Sequence, residues 1–308
     1  MKQVLIFGGT GFIGLSLAKH LRNNNYTPIV IGRNKPKQDL EFEFCQWDAN
    51  AIGDWISLLE DAYAVVNLAG KSVDCIKTRE NRDIILNSRV NSTKAIGKAF
   101  SESKNYPKIW VQMSTAHIYG DPPVELHTES SPIGKDSLAP MVGKAWEEAF
   151  VSSKPNDVKG VILRTSFVIG KNGGALASLE RIAKLGFGGT AGHGRQGMSW
   201  IHEYDMNEII HQSIVNPKYK GIIIASSPNP VSNKEFMKTL RSKMKIPFGI
   251  PAPELITRIG AKFVFRTDPE LVLYGRYVKS EVLETLGYEF KFPKLDKALV
   301  DLLVKPEE

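Results

Sequence analysis

Cysteine is scarce in this chain of 308 residues, which holds only Cys45 and Cys75. Neither thiol belongs to a CxxC pair or a Cys/His cluster, so no metal is expected. Two thiols cannot build a disulfide scaffold for a chain of this size, and they suit a reducing compartment. Long apolar runs are missing too. The first, residues 4–7, is too short for a secretory signal and is broken at once by glycine. Nothing approaches the ~20 apolar residues of a membrane span, so a soluble, cytoplasmic protein without a membrane partner is expected. Basic charge is not massed in any one place. Lys and Arg number 40 against 33 Asp and Glu, a net charge of +7, yet they are scattered and no zinc-finger spacing appears. That balance favours anionic partners in general, and a phosphorylated cofactor answers it without any specific nucleic acid.

With 42% hydrophobic residues, the chain can bury a sizeable core. Its length allows one large α/β domain, or a nucleotide domain with a smaller substrate domain attached. Residues 4–7 read as a central strand covered on both faces. Ile13, Leu17 and Leu21 then recur at helical spacing, and Asn23-Asn24-Asn25 ends that helix. Residues 28–31 restore an apolar strand, which stops at Gly32-Arg33. Strand, helix and strand within about thirty residues is the length of one βαβ unit. The alternation continues with a helix near 55–59, a strand at 64–69 and a long helix at 79–100. A strand at 109–113, a helix at 138–151 and a strand at 161–164 follow. Such repetition predicts an α/β fold, a Rossmann-type doubly wound parallel sheet. Beyond about residue 170 the texture changes to glycine-rich loops at 173–174 and 186–197, a proline cluster at 247–253, and a helix at 254–265. The reading is a nucleotide-binding domain over 1–170 and a smaller C-terminal substrate-side lobe over 171–308, with some segments returning to the sheet.

Gly8-x-x-Gly11-x-x-Gly14 lies directly between the first strand and the first helix. Glycines there permit a tight turn, let the backbone approach a pyrophosphate, and allow close helix–strand packing. Free N–H groups and the positive end of the helix dipole then face the phosphates. The end of the second strand indicates which dinucleotide is held. An acid there would hold a ribose 2′-hydroxyl; this chain has Gly32-Arg33-Asn34, with Lys35 and Lys37 beyond. Arginine suits a 2′-phosphate through charge-assisted, often bidentate hydrogen bonds. The expected cofactor is NADP(H), with a solvated surface arginine as the alternative.

With that loop, Asn67-Leu68-Ala69-Gly70 and the 114–120 segment in view, the chain resembles the extended short-chain dehydrogenase/reductases. Within them it is similar to the NADP-dependent, nucleoside-diphosphate-sugar-epimerase-like subgroup. The likeness runs on through Asn87-Ser88-Arg89, Trp146-Glu147, Gly188-Gly189, Gly194-Arg195-Gln196 and Met198-Ser199-Trp200-Ile201-His202. Asn233-Lys234-Glu235-Phe236 and Leu286-Gly287-Tyr288 continue it almost to the end. The resemblance implies that Gly8, Thr10, Gly11, Phe12, Ile13 and Gly14 line the pyrophosphate and that Arg33 holds the 2′-phosphate. It also implies that Leu68, Ala69 and Gly70 pass beside the adenosine ribose and diphosphate, and that Arg89 contacts the cofactor. Asp48 is left between a contact to adenine and the capping of a turn. Extended members often dimerise through helices, which makes a homodimer a candidate assembly.

The same resemblance exposes a gap. Active members of the wider superfamily use a Ser/Thr, a Tyr that carries the proton, and a Lys four residues after it. Thr115 matches the hydroxyl and Lys144 the lysine, but the tyrosine position is Pro140. Proline has no ionisable proton, so standard Tyr–Lys proton transfer is excluded. Tyr119 and His117 are the nearest substitutes, so Thr115, Tyr119 and Lys144 form the candidate catalytic set. Packing, for Tyr119, and a surface position, for Lys144, are the alternatives. Arg195, Trp200 and His202 are the candidate substrate contacts, against simple packing or solvation. Gly197 and the Ile76-Lys77 pair depart from the subgroup pattern, and the mixed charges of 74–82 read as a solvated face. Two functional classes follow: an NADP-dependent oxidoreductase or epimerase-like enzyme acting on a small, sugar-nucleotide-like molecule, or a non-catalytic NADP(H)-binding redox sensor or scaffold.

Overall fold

The computed structural model describes residues 1–36, 41–121, 124–135, 137–171, 173–174, 176–263 and 266–304. Lys37 and the last two residues of the helix expected at 254–265 lie outside them.

β1 (Lys2–Phe7) is apolar and buried from Val4 to Phe7 because both of its faces are covered there. Val4 and Ile6 pack with Leu17 and Leu21 of α1 (Phe12–Asn23), while Leu5 and Phe7 face Trp47, Trp55 and Phe100 on the other side. α1 stops where expected, with Asn24 as its C-cap and Asn25 in the left-handed region at φ 63°. Asparagine tolerates that region better than most side chains.

The chain then lays down β2 (Tyr26–Gly32), β3 (Glu43–Gln46), β4 (Ala62–Asn67), β5 (Ile109–Thr115), β6 (Lys159–Thr165) and β7 (Gly221–Ala225). Among the described residues these make one parallel sheet in the order β7-β6-β5-β4-β1-β2-β3. The chain is an α/β protein with a Rossmann-type doubly wound sheet. The strand order reverses at β1, which pairs with β2 on one side and β4 on the other. That reversal leaves a crevice outside the carboxyl ends of the strands.

α2 (Arg79–Glu102) and α3 (Leu138–Ser153) cover the face presented by Val65, Trp110 and Ile162. α1 and, from the second half of the chain, α5 (Glu203–Val215) cover the opposite face. The helix expected near 55–59 is a short 3₁₀ segment, Asp54–Leu59, whose role is to seat Trp55 and Leu59 in the core.

A smaller core lies beyond the sheet. α4 (Leu176–Ile182), α6 (Asn233–Lys243) and α10 (Leu295–Leu303) enclose Ile169, Trp200, Phe236, Leu240 and Leu299. α7 (Glu254–Phe263), α8 (Glu270–Leu273) and α9 (Glu281–Thr285) complete this half. β7 returns from it to the edge of the main sheet beside β6. Among the described residues no helix is long and apolar enough to cross a membrane.

Candidate functional site

A cleft of about 890 Å³ opens at the carboxyl ends of β1 to β4. Its floor is the glycine loop. Gly8 adopts φ 73°, and a Cβ there would lie 2.8 Å from the backbone of Leu68 and Ala69, so the loops after β1 and β4 abut directly. A Cβ on Gly14 would lie 2.5 Å from the backbone of Gly9, which is the close helix–strand packing expected of the last glycine. Gly11 caps α1 with no side chain, no acid stands in the first turn, and the amide of Leu15 closes on the Gly11 carbonyl. The amides ahead of Leu15 have no intrahelical acceptor and carry the positive end of the helix dipole.

The opposite wall is equally fixed. Asn67 is fully buried; its Nδ2 donates to Thr93 Oγ1 at 3.2 Å and Gln112 Oε1 at 3.0 Å, and its Oδ1 accepts from the Ala69 amide at 3.0 Å. This anchors Leu68, Ala69 and Gly70, all of which line the cleft. Arg89 packs against Gly70, donates to the Ile85 carbonyl at 2.9 Å and lies 5.0 Å over the Trp146 ring. Burial alone pushes its pKa down to about 10, and among the described residues it has no carboxylate partner.

Arg33 stands exposed at the cleft rim with Asn34, its carbonyl held by Gln46 Nε2 at 3.1 Å. Asp48 caps a turn and also lines the cleft. Its Oδ1 accepts from Asn50 N at 2.8 Å and Ala51 N at 3.0 Å. The Ala51 and Asn50 amides hold its carboxyl below the usual range. Gly8, Thr10, Gly11, Arg33, Leu68, Ala69 and Gly70 thus converge on one cleft. Phe12 and Ile13 do not line it with their side chains. Ile13 packs into the core, and a Cβ on Gly170 or Gly173 would lie 2.5 or 2.8 Å from the Phe12 ring. Sequence reasoning missed Lys71 and Arg79, two further cations on the walls; neither falls in a motif that marks a phosphate site.

The catalytic candidates do not assemble. Tyr119 is buried, stacks on His127 and accepts a 2.8 Å hydrogen bond from Arg164 Nη1. Arg164 is in turn gripped by Glu147, through Nε to Oε1 at 2.9 Å and Nη2 to Oε2 at 2.8 Å, and Ser114 Oγ donates to the same carboxylate at 2.6 Å. Burial is the main cause that raises the Tyr119 pKa, and its hydroxyl oxygen is engaged as a hydrogen-bond acceptor in the core. Lys144 is exposed on α3, 3.9 Å from Glu148. Thr115 Oγ1 accepts from the His117 amide and caps the short turn Ala116–Tyr119. Among the described residues none of Thr115, Tyr119 and Lys144 hydrogen-bonds another. Pro140 is buried in the first turn of α3, where a missing N–H is tolerated.

A different group stands at the carboxyl end of β5. His117, one of the two substitutes for the missing tyrosine, is half-buried there. Burial holds its imidazolium well below the ordinary pKa, and the charges of Arg276 and Lys77 push the same way. Arg276 is 6% exposed; its Nη2 donates to Asp121, while Nε and Nη1 have no partner among the described residues. The three side chains come from positions 77, 117 and 276, and no local pattern joins them.

The substrate candidates are also redistributed. Trp200 is fully buried in the smaller core and donates from Nε1 to the Asn229 carbonyl at 3.2 Å, leaving no surface for a ligand. His202 is 3% exposed, stacks on Phe292 at 3.9 Å and caps α5 by accepting from the Tyr204 amide at 3.0 Å. Arg195 remains exposed on its loop, with its carbonyl held by the Tyr277 hydroxyl.

Burial pushes the His202 pKa down to about 4, against the opposing pull of Asp301. A protonated imidazole has no acceptor left, so the cap would be lost. Because the folded pKa lies below the unfolded value, stability is complete above pH ~6.5 and drains away between that pH and ~4, by on the order of 3 kcal/mol. His202→Asn keeps an oxygen for the Tyr204 amide and removes the titration. Urea unfolding at neutral and mildly acidic pH should therefore show a smaller acid loss in the variant. An identical loss would clear His202 of the effect.

Residues 4–224 match the NAD dependent epimerase/dehydratase family, and residues 252–302 match a domain of unknown function. The epimerase family protein SDR39U1 homolog, chloroplastic, of Arabidopsis thaliana is 32% identical over 96% of this chain and 85% of its own. The crystal structure of the human epimerase family protein SDR39U1 (isoform 2) with NADPH superposes with a TM-score of 0.86 at 26% identity, covering 97% of this chain and 98% of that one. A nucleoside-diphosphate sugar epimerase from Corynebacterium glutamicum gives a TM-score of 0.78 at 27% identity, covering 98% of this chain and 58% of that one. The match to the family model runs from within β1 to within β7 and takes in every cleft-lining residue, and the chain belongs to the NAD dependent epimerase/dehydratase family.

Proposed function

We propose that the chain is an NADP(H)-dependent oxidoreductase of the epimerase kind, acting on an anionic, sugar-nucleotide-like substrate. The observation that carries the reading is the cleft at the β1/β4 reversal, with a side-chain-free helix start at its floor and Arg33 at its rim. The residues fit the cofactor. The opening amides of α1 take the diphosphate, Arg33 and neighbouring Asn34 the 2′-phosphate, and Leu68 to Gly70 the adenosine side. Bound there, the nicotinamide supplies hydride transfer, and the protein supplies position and charge.

On the substrate side, Thr115 and His117 sit at the end of β5, next in the sheet to β4. Tyr119 is committed to Arg164 and Pro140 has no proton, so His117 is the titratable group left to handle one. The guanidinium of Arg276, whose Nε and Nη1 have no partner among the described residues, is the charge offered to phosphate oxygens. Titration calorimetry with NADPH tests the cofactor site; no heat at millimolar concentration would refute it. For the substrate side, uridine diphosphate is the probe. Arg276→Met should weaken it about tenfold or more, the worth of a charge-assisted hydrogen bond. Equal affinity in variant and parent would remove Arg276 from the site.

Pro140 and the engaged Tyr119 favour a second reading, a cofactor-binding protein without turnover. A panel of carbonyl compounds, followed by the loss of NADPH absorbance, separates the two.

A further inference from the structure

On the face of the sheet away from α2 and α3, helices α1 and α5 are locked together. Ser16 Oγ donates to Glu203 Oε2 at 2.8 Å and accepts from Asn207 Nδ2 at 2.8 Å. One turn further along α1 is His20. Glu208 and His211 sit at i and i+3 on α5, on one side of that helix. The three ligand-type atoms lie within 4.8 Å of one another. His20 Nε2 is 3.0 Å from Glu208 Oε2, and His211 Nδ1 is 3.6 Å from the same oxygen.

Those separations are informative. Around a tetrahedral zinc with bonds of ~2.0–2.1 Å, ligand atoms stand roughly 3.4 Å apart, and the two observed distances bracket that value. Glu208 is held in a ligating orientation, because Gln212 Nε2 donates to its Oε1 at 2.8 Å and turns Oε2 toward the imidazoles. Such outer contacts fix a ligating carboxylate. His211 Nδ1 is buried and has no hydrogen-bond partner among the described residues, so a simple imidazole–carboxylate pair accounts for His20 but not for His211. Aromatic rings wall the group, with Tyr204 edge-on to His20 at 5.6 Å and Tyr26 edge-on to His211 at 5.5 Å. The side chains of His20, His211 and Glu208 remain 11%, 14% and 23% exposed, which places the group just beneath the surface.

We propose that His20, Glu208 and His211 bind a divalent transition-metal ion of the zinc class, with water completing its coordination. Two imidazoles and one carboxylate suit zinc, and copper or nickel compete by the usual affinity order. Nine residues at 1.5 Å each put His20 about 14 Å along α1 from the glycine loop, so the ion serves as a clamp between α1 and α5 rather than a part of hydride chemistry. This inference stands apart from the cofactor reading. Local spacing concealed it, because His20 and Glu208 are 188 residues apart in sequence.

The test uses the full chain, freed of metal with a chelator and titrated with Zn²⁺ against a chromophoric competitor. One ion per chain is expected, and Glu208→Gln and His211→Ala should each weaken it at least about tenfold. Glu208→Gln is nearly isosteric, and circular dichroism confirms that each variant is folded. Co²⁺ in the same site should give visible ligand-field absorption that His211→Ala removes. Absence of saturable Zn²⁺ binding, or binding unchanged in both folded variants, would overturn the proposal.

Discussion

Arg164→Met is expected to cost the fold on the order of 3–5 kcal/mol, read as a lower midpoint in urea unfolding at neutral pH. Burial works against the Arg164 charge, and Glu147 outweighs it with two hydrogen bonds while Tyr119 adds a third. Methionine fills most of the space but leaves the Glu147 carboxylate buried with only Ser114 to satisfy it. An uncompensated buried charge is the costly part, not the lost attraction. The double variant Glu147→Gln/Arg164→Met should therefore recover part of the loss, since it removes the stranded charge. A loss below about 1 kcal/mol for the single variant would mean that water reaches Glu147. Out of a typical total of 5–15 kcal/mol, the expected loss is a large share.

The second large effect belongs to cofactor choice. Arg33→Asp should weaken NADPH by about 100-fold or more while leaving NADH within a few-fold, measured by calorimetric titration of both. A hydrogen-bonded charge pair contributes ~1.5–3 kcal/mol, which alone is one to two decades of affinity. The aspartate adds repulsion toward a 2′-phosphate and offers a ribose hydroxyl an acceptor. Arg33 is exposed and its carbonyl is held by Gln46 independently of its side chain, so the fold should be indifferent to the change. Equal losses for the two dinucleotides would show that Arg33 does not read the 2′-position.

Much of the site was legible because its signals are local. A glycine loop between a strand and a helix is written within seven residues, and Arg33 follows a strand whose end is marked by Gly32. The parallel sheet was legible for a similar reason, since strands buried on both faces are apolar throughout. What failed was direction and distance. Tyr119 lies where a proton carrier would be convenient, but its strand-end turn points it inward at Arg164. Trp200 and His202 belong to a recognisable segment, and the structure engages one in packing and the other in helix capping. Lys77, His117 and Arg276, like His20 and Glu208, meet only after folding, and no spacing rule reaches across such separations.

The ring of Phe12 carries a practical consequence. It roots the opening turn of the first helix among Gly170, Gly173 and Gly174, and a side chain at either of the first two would collide with it. The opening turn of the helix is therefore braced in part by Gly173 and Gly174, from the far side of the supposed boundary, and the last strand of the sheet comes from beyond that boundary as well. A fragment cut at residue 170 would lose the brace and an edge of the sheet together, so the nucleotide-gripping half is no detachable cassette.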